Sequence, residues 1–420
     1  MIKKFNFNKI LFIYSILFIV GIPFVKLISY FFYLNKIVDN IFIINQVYVL
    51  WIMIPILLIT YILGIKFKKY KIDWLDILMY HLIFITIIST IFSSFKKVAL
   101  FGSYTRNEGL LSLLSYYLIF LNFKNLKEKK YLNYIIKVIL GVGVFQVIYS
   151  IVQVFTDATF VVKALPEYMG MGLCGNPNFF GSYMVILTLY TTCLYMMEGK
   201  HILLSVIFFL GLVLASSTGP FIGFFMAIIF FLIIYRKKIK LKRVGVVLLL
   251  FTLTFIAHDS LLNLKYKNNI DPNYNVKMEA IETVETIKEG NINKVGNGRL
   301  EIWRNSLPLI KDNLAVGSGP DTFLYIYKAG IVDKAHNVYL QMLITTGLIS
   351  LILFLIILFI LFTFSIRVED SITIALLIAF IGYSIQAFAN ISTIDVAPLY
   401  FIISGLLYYN NKNLINKIKF

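Results

Sequence analysis

The sequence predicts an all-α integral membrane protein, and three observations support that fold class. First, 59% of the 420 residues are hydrophobic and only 14% are charged, whereas a soluble domain usually carries about 25% charged residues. Second, apolar runs long enough to cross roughly 30 Å of hydrocarbon recur along the chain. Third, basic residues are concentrated between alternate runs, as expected of a multi-pass protein.

The apolar runs predict about twelve transmembrane helices within one membrane domain. Helices one to nine fall in residues 1–258, a large polar loop in 259–336, and helices ten to twelve in 337–420. The first run follows a basic start but continues to about Leu34 without a small-residue cleavage site, so we expect it to be retained. The spans lie near residues 9–33, 42–64, 76–94, 110–123, 132–155, 178–197, 201–216, 219–235, 244–258, 337–364, 372–390 and 396–410.

The basic residues predict the orientation of these helices. The net charge of +18 would suit a nucleic-acid-binding protein, but more than half of the basic residues lie in one alternating set of segments, including Arg236–Arg243. The positive-inside rule assigns that set, and both chain termini, to the cytoplasm. We therefore expect a membrane protein without a nucleic-acid partner. The short outer loops then contain only Lys36, Lys96, Lys97, Arg106 and Lys163.

The polar loop at 259–336 is predicted to be a structured extracytoplasmic loop that carries catalytic groups. It contains as many acidic as basic residues, so it is not a polybasic arm. Apolar residues spaced among charges in Val276–Glu289 predict a helix on the membrane surface. A Gly-Asn-Gly break at 296–298 follows, and a second helix is predicted from about Arg299.

Four histidines occur in the chain, and His336 is the one whose position favours chemistry. It ends the polar loop, and Asn337 and an apolar run come next. His336 should therefore lie at the N-terminal end of a membrane helix, on the outer side. A helix N-terminus disfavours the imidazolium and keeps the ring neutral, as a general base requires. The alternative is that His336 only makes a hydrogen bond at the helix entry.

Three arginines are predicted on the outer side: Arg106, Arg299 and Arg304. Guanidinium groups near the lipid head groups are frequent ligands of phosphate oxygens. These arginines are therefore candidate ligands of a phosphate-bearing substrate. The alternative is that they are solvated, or paired with Glu108 or Glu301.

Other motifs speak against several enzyme classes. Gly317-Ser318-Gly319 lacks the spacing and strand context of a nucleotide-binding loop, and residues 174–178 are typical of a turn that caps the next helix. The sequence contains no HExxH, no cysteine cluster and no GxSxG, so we expect neither a metal centre, nor a cofactor, nor a serine hydrolase. Cys174 and Cys193 should be too far apart along the chain for a disulfide, and we expect free thiols.

Six segments form a distinctive ordered set: GSYTRNEGLLSLLSYY (102–117), GNPNFFGSYM (175–184), GNGRLEIWRNSLPLI (296–310), LAVGSGPDTF (314–323), AHNVYLQMLITTGLISLILF (335–354) and GYSIQAFANISTIDVAPLYFIISGLL (382–407). Taken in this order, they resemble the O-antigen ligase and polymerase family of bacterial membrane glycosyltransferases. The resemblance implies a metal-independent transferase with the helical fold of the C-type glycosyltransferases, located in the bacterial cytoplasmic membrane. It implies a polyprenyl-diphosphate glycan donor, such as an undecaprenyl diphosphate glycan, at the outer leaflet.

The resemblance also implies roles for individual residues. The family histidine corresponds to His336, as the base or as the group that orients the acceptor. The family arginine of the outer loop corresponds to Arg299, which would hold the diphosphate. Many members carry a Ser-Arg pair where span eight begins, but this chain has Ser-Ser-Thr-Gly-Pro at 216–220. Arg106 is our candidate for the missing cation.

Further candidate glycan contacts are Trp303, Asn337 and Arg304. For Trp303, stacking on a sugar ring competes with a simple packing role for its helix. We expect the chain to transfer or polymerise a lipid-linked glycan onto an acceptor hydroxyl during envelope polysaccharide biosynthesis. The acceptor is left open between a glycan, a lipid and a protein.

The alternative functions are a protein O-oligosaccharyltransferase and a transporter or flippase of lipid-linked sugars. A transporter would favour internal repeats and ionisable residues at the middle of the bilayer. The sequence shows no repeat, and its polar residues gather in one loop. A structural membrane scaffold is a third class, and it does not require His336 beside arginines.

Overall fold

The computed structural model describes residues 6–36, 46–164, 166–266 and 298–415 of the chain. Within these ranges the regular secondary structure is helical and contains no β-strand, which confirms the predicted all-α class. The surface helix predicted at Val276–Glu289 lies outside the described residues.

The described residues form sixteen α-helices. They are α1 (Phe7–Ile19), α2 (Gly21–Leu34), α3 (Val47–Lys66), α4 (Trp74–Phe92), α5 (Lys96–Phe101), α6 (Leu110–Phe123), α7 (Lys129–Phe155), α8 (Pro177–Glu198), α9 (Ile202–Ala215), α10 (Thr218–Ile234), α11 (Leu241–Tyr266), α12 (Arg299–Asp312), α13 (Phe323–Ile326), α14 (Val338–Ser365), α15 (Ser371–Gln386) and α16 (Ala397–Ile415). Short 3-10 turns follow α10 and α15.

Eight helical stretches among the described residues are long and apolar enough to cross a membrane. These are α1 together with α2, then α3, α4, α7, α8, α11, α14, and α15 with its following turn. Shorter apolar helices are α6, α9, α10 and α16. The protein is therefore a helical membrane protein, while the number of twelve spans stays a prediction.

Two predicted spans are interrupted. The span near 9–33 consists of α1 and α2, which meet at Val20. The helix α14 breaks at Gly347, whose φ is 87° and ψ is 170°. A Cβ atom at Gly347 would lie 2.3 Å from the carbonyl oxygen of Ala315, so only glycine permits this close approach.

The core is organised around α8. Nearly all of its residues are buried, and it packs against α9, α10 and α15. Small residues bring these helices together, since a Cβ on Gly223 of α10 would lie 2.4 Å from the carbonyl oxygen of Gly382 on α15. Close backbone approach at small residues is the usual means of helix association in membranes. By contrast, most of α11 faces outward.

A buried ionic cluster ties α4, α6 and α16 together at one end of the bundle. The ammonium of Lys124 donates to Asp73 Oδ1 (2.8 Å) and to Asp76 Oδ2 (2.6 Å). The hydroxyls of Tyr408 and Tyr61 donate to the same two carboxylates. Because every ion here has a partner of opposite charge and further hydrogen bonds, the cluster satisfies the conditions for a buried ion network.

The opposite end of the bundle carries the polar loops in which Arg106, His336 and Asn337 lie. We call it the site end, and define it by the described loops 93–109, 166–176, 313–337 and 387–396.

Candidate active site

Helix α12 supports the backbone beside His336. It begins at Arg299, as predicted, after Gly298 in the left-handed conformation (φ 76°). The indole N–H of Trp303 donates to the carbonyl oxygen of Ala335 over 2.9 Å, and the N–H of Ala335 donates to Gln341 Oε1 over 2.9 Å. Trp303 thus has a positioning contact one residue from the histidine, and its stacking on a sugar stays a prediction.

His336 lies where the sequence predicted, immediately before α14. Its own backbone is left-handed, with φ 49°, a conformation that non-glycine residues seldom adopt and that is found at functional sites. The next residue, Asn337, is the N-cap: its Oδ1 accepts from the N–H groups of Tyr339 and Leu340, each over 3.0 Å. Because its oxygen caps the helix, only the amide nitrogen of Asn337 is left to contact a glycan.

Burial and the neighbouring charges together lower the pKa of His336. Burial lowers it most, the Asp333 carboxylate raises it, and the positive charges of Arg299, Arg106 and Lys334 lower it again. The net result is a pKa below the ordinary histidine value of 6.5. The ring is therefore neutral at pH 7, which is the form that can accept a proton.

Arg106 is paired with a carboxylate that the sequence analysis did not single out. Its Nε donates to Asp333 Oδ2 over 2.5 Å, and its guanidinium carbon lies 5.3 Å from the centre of the Phe179 ring. The pairing with Glu108 that we considered as an alternative is therefore wrong. Burial raises the pKa of Asp333, but the charge and hydrogen bond of Arg106 outweigh it and the pKa is lowered. Asp333 Oδ1 lies 3.9 Å from His336 Nε2.

The loop that carries Arg106 is tightly constrained. Gly102 is left-handed (φ 98°), and a Cβ atom there would lie 2.3 Å from the backbone carbon of Asn107. Asp321 fixes the loop from the other side, since its Oδ2 accepts from Ser103 N (2.7 Å), Ser103 Oγ (2.9 Å) and Glu108 N (3.1 Å). The sequence motif GSYTRNEG therefore encodes a rigid presentation of Arg106.

A buried ionic triad joins two loops of the site, 93–109 and 313–337. Lys334 Nζ lies 2.5 Å from Glu108 Oε2 and 3.3 Å from Asp321 Oδ1, and all three side chains are almost fully buried. Tyr116 and Ser392 donate to the other oxygen of Glu108. Burial lowers the pKa of Lys334, but the two carboxylates raise it by more than burial lowers it. The net pKa is therefore raised, and Lys334 keeps its positive charge.

The Gly-Ser-Gly turn is a backbone packing motif. Ser318 N donates to Ile344 O over 3.1 Å, and Gly319 N donates to Thr345 O over 2.8 Å. These carbonyls belong to the last turn of α14 before its break at Gly347. The left-handed Gly317 (φ 74°) allows the approach, because a Cβ there would lie 2.3 Å from the backbone of Thr345.

A polar cavity of about 650 Å³ opens beside Arg106 and Asp333. Exposed aromatic side chains of Tyr48 and Tyr104 also line it. His336 and Arg299 are not among its lining residues, so the cavity and the histidine are neighbours that meet at Asp333. The other polar lining residues include Lys26, Gln46, Asn107, Glu108, Asn176, Ser392, Thr393 and Asp395.

Lys26 and Asp395 are two further charged groups of the cavity that sequence reasoning missed. Lys26 is only 7% exposed, and a Cβ atom on the left-handed Gly175 would lie 3.0 Å from its Nζ. Asp395 accepts from Gln46 Nε2 over 2.5 Å. Burial raises the pKa of Asp395 while Lys26 and Gln46 lower it, and the net pKa is raised. An ionisable residue inside the first apolar run was the signal that would have identified Lys26.

Two smaller apolar cavities, each about 60 Å³, lie beside the polar one. Glu108 and Ser392 line both the polar cavity and the first apolar one. Leu113, Val338 and Met342 then line both apolar cavities. The polar and apolar cavities are therefore neighbours around α6, α14 and the loop before α16.

Of the other residues considered from the sequence, Arg299, Arg304 and Cys193 do not line the cavity, whereas Cys174 does. Arg299 is half-buried at the start of α12, and its charge acts on His336. Arg304 is exposed on the same helix. Cys174 and Cys193 are buried free thiols, as expected. Among the described residues, no group of three or more His, Cys, Asp or Glu side chains is arranged to hold a metal ion.

Apolar helices around a charged cavity at one end define a multi-pass helical membrane protein with a polar site at one end of its helical bundle. The model of the O-antigen ligase family matches residues 203–355, from α9 into α14. This match supports the assignment of the chain to the O-antigen ligase family, and with it a glycosyltransferase-type enzyme of envelope polysaccharide biosynthesis. The matched segment contains Arg299 and His336 but neither Arg106 nor Lys26. No curated protein gives a significant match to the chain.

Proposed function

We propose that this protein transfers a glycan from a polyprenyl diphosphate to an acceptor hydroxyl at the outer face of the bacterial cytoplasmic membrane. The observation that carries the proposal is the 650 Å³ cavity lined by two cations, Arg106 and Lys26. Asp333 connects this cavity to His336. A pair of cations beside a neutral histidine matches the needs of a reaction in which a diphosphate leaves and a hydroxyl is deprotonated.

The charge distribution supports the outer location of the site end. The opposite end carries the basic run Arg236–Arg243 and the basic loops at 66–71 and 124–130. The positive-inside rule assigns such segments, and with them both termini, to the cytoplasm. On that orientation the reaction uses a donor already carried across the membrane, and it requires neither ATP nor a sugar nucleotide.

Arg106 and Lys26 are the proposed ligands of the donor diphosphate. Arg106 stays the candidate for the cation that the Ser-Ser-Thr-Gly-Pro stretch at 216–220 lacks, and Lys26, which lies in the second helix and is buried against the cavity wall, adds a second cation. Arg299 adds positive charge on the side of His336. Cations held in a partly buried site stabilise the negative charge that develops on a leaving diphosphate.

The lipid part of the donor would follow the apolar cavities. They begin at Glu108 and Ser392 and are lined by side chains of α6, α14, α15 and α16. A polyprenyl chain lies in hydrocarbon before it binds, so it requires apolar surroundings of the same kind inside the protein. The sequence of polar and then apolar cavities therefore suits an amphipathic donor with a charged head.

The proposed chemistry is a single displacement. The acceptor oxygen bonds to the anomeric carbon, and the bond from that carbon to the diphosphate oxygen breaks, with the electron pair leaving on the diphosphate. A ring nitrogen of His336 takes the acceptor proton, a contribution worth typically 10²–10⁴-fold. The step requires no metal ion, because the positive charges of Arg106 and Lys26 stabilise the leaving diphosphate in its place. Trp303, Arg304 and the Asn337 amide nitrogen are proposed to contact the glycan.

Reconstitution tests this function against the transporter alternative. Purified protein in nanodiscs is given a polyprenyl-diphosphate glycan and candidate acceptors, namely a second lipid-linked repeat, a lipid-linked core sugar and a peptide. The expected result is release of polyprenyl diphosphate together with a glycan–acceptor product, in the presence of a chelator. His336→Ala, Arg299→Ala and Arg106→Ala should lose turnover. Lys328→Ala, at an exposed position in the loop that carries His336, should not.

Two results would contradict the proposal. Wild-type turnover by both His336→Ala and Arg299→Ala would refute the assignment of the site. Movement of the intact donor across a proteoliposome membrane, without any product, would favour the transporter instead.

A further inference from the structure

Asp333 lies next to both Arg106 and His336, to which the proposed function gives different roles. Its Oδ2 accepts from Arg106 Nε over 2.5 Å, and its Oδ1 lies 3.9 Å from Nε2 of His336. A separation of 3.9 Å exceeds hydrogen-bond range. In this structure the carboxylate is therefore bound to the donor-side arginine and stands next to the histidine without bonding to it.

The backbones on both sides of Asp333 are fixed. Hydrogen bonds to both backbone groups of Ala335 and the helix cap at Asn337 hold the histidine segment. The three contacts of Asp321 Oδ2 hold the loop of Arg106. Because both loops are held in place, the side chain of Asp333 is the part that can change partner. A rotation that shortens its distance to Nε2 of His336 by about 1 Å would bring the two groups into hydrogen-bond range.

We propose that Asp333 is a positioning residue that passes from Arg106 to the ring of His336 when a diphosphate engages Arg106. This inference rests on the proposed function and adds a coupling to it. With Nε2–H of His336 donating to Asp333, the other ring nitrogen, Nδ1, faces the acceptor as the proton acceptor. His336 is then activated as a base only when the diphosphate of the glycan donor is already bound to Arg106.

The physical reason is competition between two anions for one guanidinium. A diphosphate on Arg106 takes over its hydrogen bonds and repels the adjacent carboxylate, so the pair that holds Asp333 is weakened. His336 is an alternative donor close to this carboxylate, since its Nε2 lies 3.9 Å from Asp333 Oδ1. A carboxylate bonded to one nitrogen of an imidazole fixes its tautomer and increases the basicity of the other nitrogen.

The other charges around His336 do not offer the same exchange. The groups that act on its ring are Asp333, Arg299, Arg106 and Lys334. Lys334 is bound in the buried triad with Glu108 and Asp321. Arg299 and Arg106 are cations and lower the pKa of the histidine. Asp333 is the one group in the described surroundings that raises it.

Titration of the histidine in the full-length protein tests the proposal. The chain has only four histidines, so labelling with ¹³C at Cε1 gives four NMR signals, and His336→Gln identifies the one of interest. The probe is farnesyl diphosphate, which has the charged head and a short isoprenoid chain. Its binding is measured separately with radiolabelled probe, in wild type and in Arg106→Gln.

The expected result has four parts. The probe raises the titration midpoint of His336 in the wild-type protein, and Asp333→Asn loses most of this rise and has a lower midpoint without probe. Arg106→Gln raises the midpoint without probe, and the double variant Arg106→Gln/Asp333→Asn loses most of that rise. Asp333→Glu restores the response to the probe. Asp312→Asn, an exposed carboxylate at the end of α12, behaves as wild type.

The outcomes separate this proposal from the function on which it rests. An equal rise in wild type and Asp333→Asn would mean that the diphosphate acts directly on the ring, and would overturn the role of Asp333 alone. Failure of the probe to bind, or equal binding by Arg106→Gln, would overturn the donor site of the proposed function and the coupling with it. If Asp333→Asn fails to give the NMR spectrum of a folded protein, Asp333→Glu decides, because it keeps the charge and its His336 midpoint must still rise with the probe.

Discussion

The indole of Trp303 donates a hydrogen bond to the carbonyl of Ala335, the residue that precedes His336. The sequence offered two roles for this tryptophan, sugar stacking and packing. The observed bond gives a third, because it fixes the peptide from which the histidine projects. Since the histidine backbone is left-handed at φ 49°, it needs such support to persist.

Removal of the indole N–H alone should therefore lower turnover. We expect Trp303→Phe to lose roughly tenfold in kcat, because an acceptor left without its donor costs about 1–3 kcal/mol. Steady-state kinetics with the reconstituted donor would measure this. Trp74→Phe, at an exposed position on the opposite end of the bundle, is the matched control. If Trp303→Phe keeps its kcat and Trp303→Ala only raises the acceptor KM, the tryptophan acts as a sugar platform instead.

The pH dependence should report the histidine. The pKa of His336 is lowered below 6.5, so the neutral ring dominates at pH 7 and is lost as the pH falls. We expect kcat/KM to be constant near neutrality and to decline on the acid side, with a midpoint below the ordinary histidine value. A pH–rate profile measures it. The residual activity of His336→Gln should lack this acid limb, and persistence of the limb would assign it to another group.

Lys26 should act on the donor. We expect Lys26→Met to lower kcat/KM for the donor by about 10–100-fold, because hydrogen bonds to charged groups are worth roughly 1.5–3 kcal/mol. Radiolabelled polyprenyl diphosphate in nanodiscs would measure the loss of affinity directly. Lys66→Met, on an exposed lysine at the end of α3, is the control for a lost charge. Undiminished donor binding by Lys26→Met would remove Lys26 from the site.

The buried triad should control stability more than chemistry. Lys334→Met leaves two buried carboxylates without their cation, and breaking a buried pair costs about 3–5 kcal/mol. We expect a large fall in the melting temperature of the detergent-solubilised protein, measured by size-exclusion chromatography after heating. Lys130→Met breaks an exposed pair with Glu128 and should not change it measurably. A normal melting temperature for Lys334→Met would contradict the structural role of the triad.

Much of the fold could be predicted because the bilayer core contains no water to form hydrogen bonds with the backbone. A run of apolar residues must form a helix there to satisfy its backbone hydrogen bonds, so apolar length alone indicated where most helices would lie. The position of His336 and the start of the helix at Arg299 were likewise readable, because glycines, asparagine and the change from polar to apolar residues mark helix ends. The break at Gly347 was not readable, since it depends on the approach of Ala315 from a distant loop.

The charged partners of the site show where sequence reasoning stops. Arg106 and Asp333 are separated by 227 residues in the chain, and Glu108 and Lys334 by 226, so no local pattern links them. Periodicity and charge placement thus determined the class of protein and the residue types available at one end of it. Only the tertiary structure decided which charges pair, that Lys26 and Asp395 face a shared cavity, and that Asp333 stands between Arg106 and His336. The reason is that ion pairs and cavities are properties of distance in space, whereas a sequence records distance along the chain.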